Sequence, residues 1–159
     1  MEIPITIRQA TLSDLDEILA VEEVNFSSEE ALSRQFLEES IRKTADTFLV
    51  ARDENQLVGY ILGALVSGSY TQTSLNLEIK RVAIHPDHRG QGLGTLLLAT
   101  LKQVAVEEGV KCLRLTCPDD FLSYFEMNGF VEEEVPENHY GSCSGWQLIW
   151  ANPFYQEEI

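Results

Sequence analysis

The chain has 159 residues, of which 44% are hydrophobic and 23% charged, and its formal net charge at pH 7 is −15. This length and composition predict one globular domain over residues 1–159 and exclude a disordered chain, while the acidic charge disfavours binding to nucleic acid or acidic lipid. The apolar run at residues 58–66 is too short to span a bilayer, and the N-terminus lacks the pattern of a secretory signal, so we expect a cytoplasmic protein with no membrane partner.

The first third of the chain combines β-type alternation with helical periodicity. Alternating isoleucines predict a first strand at residues 3–7. Two amphipathic helices are expected at residues 11–23 and 28–43, the first beginning at a Thr or Ser cap. Two apolar runs separated by a polar turn then predict an antiparallel hairpin, with strands at residues 48–52 and 56–65.

The next predicted strand, residues 75–86, changes its pattern part-way along. Apolar residues occupy odd positions up to Ile79 and even positions from Val82 onward, so the pattern breaks at Lys80 and Arg81. An extra residue in a β-bulge would cause this change, and bulges often lie beside active sites. Burial of both faces at this end of the strand, with Ala83 facing a second layer, is the alternative.

The last third of the chain is predicted to contain two more helices and three more strands. A long helix is expected at residues 92–108, a strand at 110–117, a short helix at 121–129 and closing strands at 130–135 and 145–151. The order of elements predicts an α+β fold, with a single mixed, mostly antiparallel sheet of about seven strands flanked by about four helices.

A glycine-rich turn, HPDHRGQGLGTLLLATL at residues 85–101, opens the long helix. The N-terminus of a helix carries unpaired backbone N–H groups and a positive dipole end, which together favour phosphate. No Gly-Lys-Ser/Thr follows, which excludes a Walker loop, and the third glycine is Gly94 rather than residue 95, which excludes the dinucleotide fingerprint. An ordinary glycine-rich turn is the remaining alternative.

The pattern that does fit is R-x-x-G-x-G, here Arg89 to Gly94 directly after a strand. It closely resembles the acetyl-CoA pyrophosphate loop of the GNAT N-acetyltransferases. The resemblance covers nearly the whole chain, including the segments IRQATLSDLDEI, VGYILG, VAIHPDHRG and FLSYFEMNGF. The run CPDDFLSYFEMNGF is most similar to the arylalkylamine (serotonin-type) subgroup. The resemblance implies a GNAT-like fold in which strands 4 and 5 splay apart to admit the pantetheine arm.

The resemblance also implies acetyl-CoA as cosubstrate and no metal. Backbone amides of the loop would hold the pyrophosphate, and the end of the preceding strand would pair its backbone with the pantetheine. The implied cofactor-binding residues are Val82, Ala83, Ile84, Arg89, Gly90, Gln91, Gly92, Leu93, Gly94 and Thr95. Six of the eleven basic residues lie between positions 80 and 114, which fits an anionic cosubstrate.

Two catalytic residues follow from the resemblance. Acetylation requires a neutral amine, and the family places a Glu or His base four residues before the pantetheine segment, where this chain has Glu78. The usual general acid is a Tyr, but Phe125 occupies that position and Tyr124 precedes it. Tyr124, water or no acid at all could therefore serve, because a thiolate with a pKa of about 8.5 is a fair leaving group.

Two other groups of residues invite chemical interpretations. His85 and His88 have the spacing of a metal pair, but with no further ligand nearby we interpret them as turn residues. Three cysteines without a CxxC pair indicate packing residues, and Cys117, at a strand end, is the one candidate nucleophile.

The favoured function is acetyl-CoA-dependent N-acetylation of a primary amine, with a small cationic or arylalkylamine-like acceptor. In the family, the acceptor lies between the first two helices and the loop joining the last strands. The acidic or aromatic candidates there are Glu29, Glu30, Glu132, Glu133, Glu134, Glu137, His139 and Tyr140. A protein or peptide N-terminal acetyltransferase and a catalytically weak CoA-binding module are the alternatives. Exposed Trp146, Trp150 and Phe154 would suit the edge of a homodimer.

Overall fold

A computed structural model describes residues 4–67, 75–133 and 145–156. The strands in these residues are β1 (Thr6–Gln9), β2 (Phe48–Arg52), β3 (Leu57–Ser67), β4 (Leu75–Ile84), β5 (Cys112–Cys117), β6 (Val131–Glu132) and β7 (Trp146–Ala151). The α-helices are α1 (Leu15–Asn25), α2 (Arg34–Thr44), α3 (Leu93–Glu107) and α4 (Asp119–Met127).

The strands form a seven-stranded sheet in the order β1-β2-β3-β4-β5-β7-β6. Neighbours β1 and β2, β2 and β3, β5 and β7, and β6 and β7 are antiparallel, whereas β4 and β5 are parallel. The parallel pairing joins residues 76–78 to residues 112–114, which is consistent with the expected splay of these strands. The predicted α+β fold, with seven strands in a mixed, mostly antiparallel sheet and four helices, is confirmed.

Two helices begin at different residues from those predicted. Helix α2 begins at Arg34, six residues late, because the Ser33 hydroxyl caps it by accepting the Phe36 amide at 3.1 Å. Residues 27–32 form a turn instead, in which Ser27 O accepts the amides of Glu30 and Ala31. Helix α4 begins two residues early, directly after Pro118.

Contacts within the chain define two compact units. The first unit comprises Met1–Ala64 and Lys80–Val104, and the second comprises Leu65–Ile79 and Ala105–Ile159. A single domain over residues 1–159 stays a prediction. The core of the first unit packs α1 and α2 against β2 and β3. Its large buried side chains are Leu15, Ile18, Val21, Leu37, Ile41, Phe48, Val50, Leu57, Tyr60 and Leu62.

In the second unit, β5 is the most buried strand. Its buried side chains alternate with exposed ones at Arg114 and Thr116, as expected for a strand with one covered face. Strand β7 lies between β5 and β6, so it is not a sheet edge. Both Trp146 and Trp150 are half-buried, and only Phe154 is well exposed, which corrects the expectation that all three are exposed.

No helix in residues 4–67, 75–133 and 145–156 has the length and apolar character needed to cross a bilayer.

A buried carboxylate fixes the start of the first helical region. Asp14, only 2% exposed, accepts two hydrogen bonds from Arg8 at 2.7 and 2.9 Å and the backbone amide of Thr11 at 2.8 Å. Arg52 lies 3.2 Å from the same carboxylate. Burial by itself would raise the pKa of Asp14, but the hydrogen bonds from Arg8 and Thr11 outweigh it and lower the pKa to about 2.

We expect Asp14→Asn to lower the free energy of unfolding at pH 7 by roughly 2 kcal/mol. The folded-state pKa lies below the unfolded value of 3.8, so this stabilisation is present above about pH 4 and is lost as the pH falls towards 2. Urea unfolding at pH 7 and pH 3 measures the difference, which should shrink at pH 3. Asp16→Asn is the control, because Asp16 is 84% exposed and its ion pair with Arg34 should contribute little.

Candidate active site

The chain leaves β4 through a tight turn that leads into α3. Pro86–His88 form one 3-10 turn, and the His85 Nδ1 accepts the amide of Asp87 at 3.1 Å. His88 Nε2 lies 3.0 Å from Gln56 Nε2. Both histidines therefore have structural contacts in the turn. Within the described ranges, no group of three or more His, Cys, Asp or Glu side chains could hold a metal ion.

Two of the three glycines after this turn have a conformation that favours glycine. The φ angle is +79° at Gly90 and +77° at Gly92, in the left-handed region where other L-residues are strained. A Cβ atom at either position would meet nothing within 4 Å, so the space beside both glycines is open. Gly94 lies in the first turn of α3, outside the left-handed region.

Helix α3 begins directly after Gly92, whose carbonyl accepts the Leu96 amide at 3.0 Å. The first amides of a helix have no preceding helical turn to supply their acceptors and point out of its N-terminus, where the dipole is positive. Residues 90–92 are exposed, whereas Leu93 is buried and fixes the turn to the protein. An exposed glycine turn on a helix N-terminus is the arrangement that binds a phosphate group through backbone amides.

The end of β4 has one covered face. Ala83 is 4% exposed and belongs to the core of the first unit, whereas Val82 and Ile84 are half-buried on the opposite face. Gly59 permits this packing, because a Cβ there would lie 2.9 Å from Ala83 O and 2.6 Å from Ile84 Cδ1. The requirement for glycine at residue 59 is a backbone contact with β4, which the sequence analysis did not identify.

Asn25, the last residue of α1, connects three parts of the first unit. Its side-chain NH₂ donates to Val21 O at 2.8 Å and to Ile84 O at 3.1 Å. Its Oδ1 accepts a hydrogen bond from Arg89 Nη2. The guanidinium of Arg89, a predicted cofactor residue, is therefore held by α1 beside the end of β4.

A second buried carboxylate, Glu22, lies one turn before Asn25. It is fully buried and accepts Arg81 Nε at 3.0 Å on Oε1 and Arg81 Nη2 at 2.9 Å on Oε2. The Tyr60 hydroxyl also donates to Oε1, and the Leu32 amide donates to Oε2 at 2.7 Å. Burial raises the pKa of Tyr60, and the adjacent carboxylate raises it further.

This ion pair was missed at the sequence level, although two signals indicate it. Glu22 follows the core residue Ile18 by four positions, so it lies on the apolar face of α1. Arg81 precedes the buried Ala83 by two positions, so it lies on the covered face of β4. A charged residue at a core position in each of two elements indicates a buried pair. The bulge inferred from the same break in β4 stays a prediction.

The predicted base, Glu78, belongs to the second unit. It is half-buried on β4, opposite Arg114 in the parallel register with β5. Residues in register carry their side chains on the same face of a sheet, so Glu78 and Arg114 lie on the same face at neighbouring positions. Arg114 also forms a 3.0 Å ion pair with Glu133.

The predicted acid, Tyr124, also lies in the second unit, on α4. It is half-buried, and its ring packs edge-on against Phe125, with centroids 5.2 Å apart. Phe125 in turn packs edge-on against the buried Phe130 at 5.8 Å. The residue at the family's usual tyrosine position therefore belongs to an aromatic cluster.

The described cysteines favour the packing interpretation. Cys112 and Cys117 are both buried, and the Cys112 thiol donates to Asn76 Oδ1 at 3.0 Å. Burial raises the pKa of the Cys117 thiol, and the carboxylate of Asp119 raises it further. A raised pKa disfavours the thiolate that nucleophilic catalysis needs.

The acceptor-side candidates are only partly described. Glu29, Glu30 and Glu132 are exposed, and Glu133 is half-buried. The predicted residues Glu134, Glu137, His139 and Tyr140 lie outside the described residues.

Comparison with known proteins adds independent evidence. The model of the acetyltransferase (GNAT) family matches residues 12–130. An N-alpha-acetyltransferase from Sulfurisphaera tokodaii is 25% identical over 154 residues, or 91% of each chain. The uncharacterized N-acetyltransferase ycf52 from Gracilaria tenuistipitata var. liui is 28% identical over 90 residues, which are 57% of this chain and only 46% of that relative.

A solved structure agrees in fold. The PaiA N-acetyltransferase from Thermoplasma acidophilum, in complex with coenzyme A, has a TM-score of 0.77 at 19% identity. The match covers 94% of this chain and 99% of the PaiA chain. None of these relatives places the chain in the arylalkylamine subgroup. The family match covers most of the chain and includes the glycine turn, so the protein belongs to the GNAT family of acetyltransferases.

Proposed function

We propose that this enzyme transfers the acetyl group of acetyl-CoA to a primary amine. The observation that carries the proposal is the exposed turn at Gly90 and Gly92, whose left-handed backbone leads into the N-terminus of α3. Its open space and the backbone amides at the N-terminus of α3 fit the pyrophosphate of the cosubstrate. The PaiA relative was solved with coenzyme A, which supports the same assignment.

In this proposal, the cosubstrate is held mainly by backbone groups. The amides of residues 90–95 and the nearby Arg89 would bind the pyrophosphate. The backbone of Val82, Ala83 and Ile84 would pair with the pantetheine, and an amide there would polarise the thioester carbonyl. The half-buried faces of Val82 and Ile84 leave this end of β4 partly accessible, which supports the proposal.

The proposed chemistry is direct attack of the amine on the thioester. Glu78, acting directly or through water, takes the proton that the ammonium must lose, and the neutral nitrogen attacks the carbonyl carbon. The new C–N bond forms, the C–S bond breaks, and the electron pair leaves with the sulfur, while the attacking nitrogen loses its second proton to water. Tyr124 or water returns a proton to the thiolate. The half-buried position of Glu78 suits a base that must remain accessible to an amine.

The proposed acceptor is a small cationic or arylalkylamine-like amine. The exposed carboxylates of Glu29 and Glu30, between α1 and α2, support a cationic acceptor. The N-terminus of a protein or peptide is the second candidate, because the Sulfurisphaera relative is named an N-alpha-acetyltransferase. Cytoplasmic location and a homodimer are further proposals, and light scattering on the purified protein tests the second.

We expect an acceptor screen to show CoA release with amines that carry a second positive charge. Rising salt should increase the acceptor KM more than the acetyl-CoA KM, because it screens Glu29 and Glu30. Thiol release is measured with a panel of diamines, arylalkylamines and peptides with a free N-terminus. A preference for carboxylate-bearing acceptors would overturn the cationic assignment. A preference for peptides would favour the N-terminus of a protein or peptide as the acceptor. Acetyl-CoA binding without CoA release would indicate a CoA-binding module.

A further inference from the structure

The fully buried Glu22 is the starting point, since the proposed chemistry does not use it. Its two oxygens accept four hydrogen bonds, from Arg81 twice, from Tyr60 and from the Leu32 amide. A carboxylate whose two oxygens already accept four hydrogen bonds has no free lone pair to offer a substrate. Its function must therefore lie in what it holds in place.

The groups around Glu22 converge on the turn between α1 and α2. Arg81 Nη2 donates to Glu30 O at 2.7 Å, and its guanidinium carbon lies 3.7 Å from the centre of the Phe26 ring. The Leu32 amide on Glu22 fixes the other end of the same turn. Residues 26–32 are thus attached to one ion pair at three points, namely a ring, a carbonyl and an amide.

The side chains at the tip of this turn face solvent. Ser27, Ser28, Glu29 and Glu30 are all exposed, whereas Phe26 and Leu32 pack against the core of the first unit. The Ser27 hydroxyl donates to Glu30 Oε1 at 2.9 Å and orients that carboxylate. The attached backbone therefore presents two carboxylates from a fixed position.

We infer that Glu22 and Arg81 are positioning residues that fix residues 26–32 so that Glu29 and Glu30 select a cationic acceptor. The inference rests on the proposed function, in which this turn faces the amine. Carboxylates that are already held in place discriminate between acceptors more strongly than mobile ones, because binding then costs no conformational entropy to order them. Glu22 would thus control the acceptor without touching it.

Glu22→Gln tests the inference with two readouts. Hydrogen exchange of the amides in residues 27–32 should accelerate at least about tenfold, whereas the acetyl-CoA Kd from calorimetry should stay within about twofold. With 1,4-diaminobutane and butylamine as acceptors, the ratio of their kcat/KM values should fall towards one. The Glu29→Gln/Glu30→Gln variant should lower the same ratio, and adding Glu22→Gln to it should lower the ratio little further.

Asp14→Asn is the matched control, because Asp14 is the other buried carboxylate paired with arginine in the first unit. It should destabilise the protein without changing exchange in residues 27–32 or the acceptor ratio. If Glu22→Gln does not fold, Tyr60→Phe removes one of the four hydrogen bonds and should show the same changes at smaller size. Unchanged exchange in this turn, or an acceptor ratio that persists, overturns the inference. If the wild type acetylates neither amine, the proposed acceptor class fails, and the exchange data still decide whether Glu22 fixes the turn.

Discussion

Gly92→Asp is expected to weaken acetyl-CoA binding by at least about 100-fold. A carboxylate about 4 Å from a phosphate would cost about 4 kcal/mol at an effective dielectric constant of 20, and each 1.4 kcal/mol is a factor of ten in Kd. The Cβ at residue 92 points into open space, so the new side chain would occupy the proposed pyrophosphate position rather than disturb the core. Calorimetric titration with acetyl-CoA measures the change.

Two controls separate charge from backbone strain. Gly109→Asp introduces the same side chain at the other end of α3, where φ is +67° and the space is also open. It should leave the acetyl-CoA Kd unchanged within about twofold. Gly92→Ala should increase the acetyl-CoA Kd less than about tenfold, because it adds backbone strain without a charge. Acetylpantetheine, which lacks the pyrophosphate, should remain an equally weak acetyl donor for wild type and Gly92→Asp. Unchanged acetyl-CoA affinity in Gly92→Asp would remove the glycine turn from the site.

The glycine turn was predictable from sequence because its physical requirements are local. A left-handed φ at Gly90 and Gly92 and a helix N-terminus immediately after them involve only consecutive residues. The same reasoning did not resolve Gly94, which lies in the helix and has an ordinary sign of φ. Spacing identified the motif, and the structure shows that two of its glycines are required by backbone conformation.

The contacts that the sequence analysis missed join residues far apart in the chain. Glu22 and Arg81 are 59 positions apart, and a chain with 26 acidic and 11 basic residues gives no compositional sign of which acid is buried. The glycine at residue 59 is required by the carbonyl of residue 83 on the neighbouring strand. Local patterns predict which face of an element is covered, whereas the partner on that face depends on how the elements pack.

The start of α2 shows the same difference between what local patterns predict and what depends on distant contacts. The second helix was predicted to begin at residue 28 from the periodicity of its apolar residues. The structure places the cap at Ser33, and residues 27–32 are attached to Arg81 and Glu22 instead. Periodicity alone does not show that the residues before Ser33 make long-range contacts instead of a helical turn.

Glu78→Gln is expected to lower kcat by roughly 10²–10⁴ while the acetyl-CoA Kd stays unchanged. The amide keeps the shape of the side chain and removes its basicity. The loss should shrink at high pH, because an alkylamine with a pKa near 10 then arrives already neutral. Steady-state thiol release from pH 6 to pH 10, with the best acceptor from the screen, measures both effects. Full activity of Glu78→Gln at neutral pH would exclude Glu78 as the base and direct attention to His139 or a water chain.

Glu133→Gln is the matched control for this variant, because Glu133 is the carboxylate that pairs with Arg114, the register neighbour of Glu78. If Glu78 acts only by balancing the charge of Arg114, the two glutamine variants should lose activity to a similar degree. If Glu78 accepts the proton, any effect of Glu133→Gln should be on the acceptor KM, because Glu133 is an acceptor-side candidate. Its kcat should stay within about threefold of the wild type, and the pH profile of kcat should be unchanged.

The same measurements test which group protonates the thiolate. Two variants on α4 serve for this, one that removes a tyrosine hydroxyl and one that adds it. Tyr124→Phe removes the hydroxyl but keeps the edge-on contact with Phe125, so a loss of tenfold or more in kcat, about 1.4 kcal/mol of barrier, would identify Tyr124 as the acid. Phe125→Tyr restores the family's usual residue, and it should hold or raise kcat and add a basic limb to the pH profile. Because Phe125 packs against the buried Phe130, the thermal stability of this variant must be measured alongside its kcat. If neither variant changes kcat or the pH profile, the thiolate leaves without a protein acid, as its pKa of about 8.5 permits.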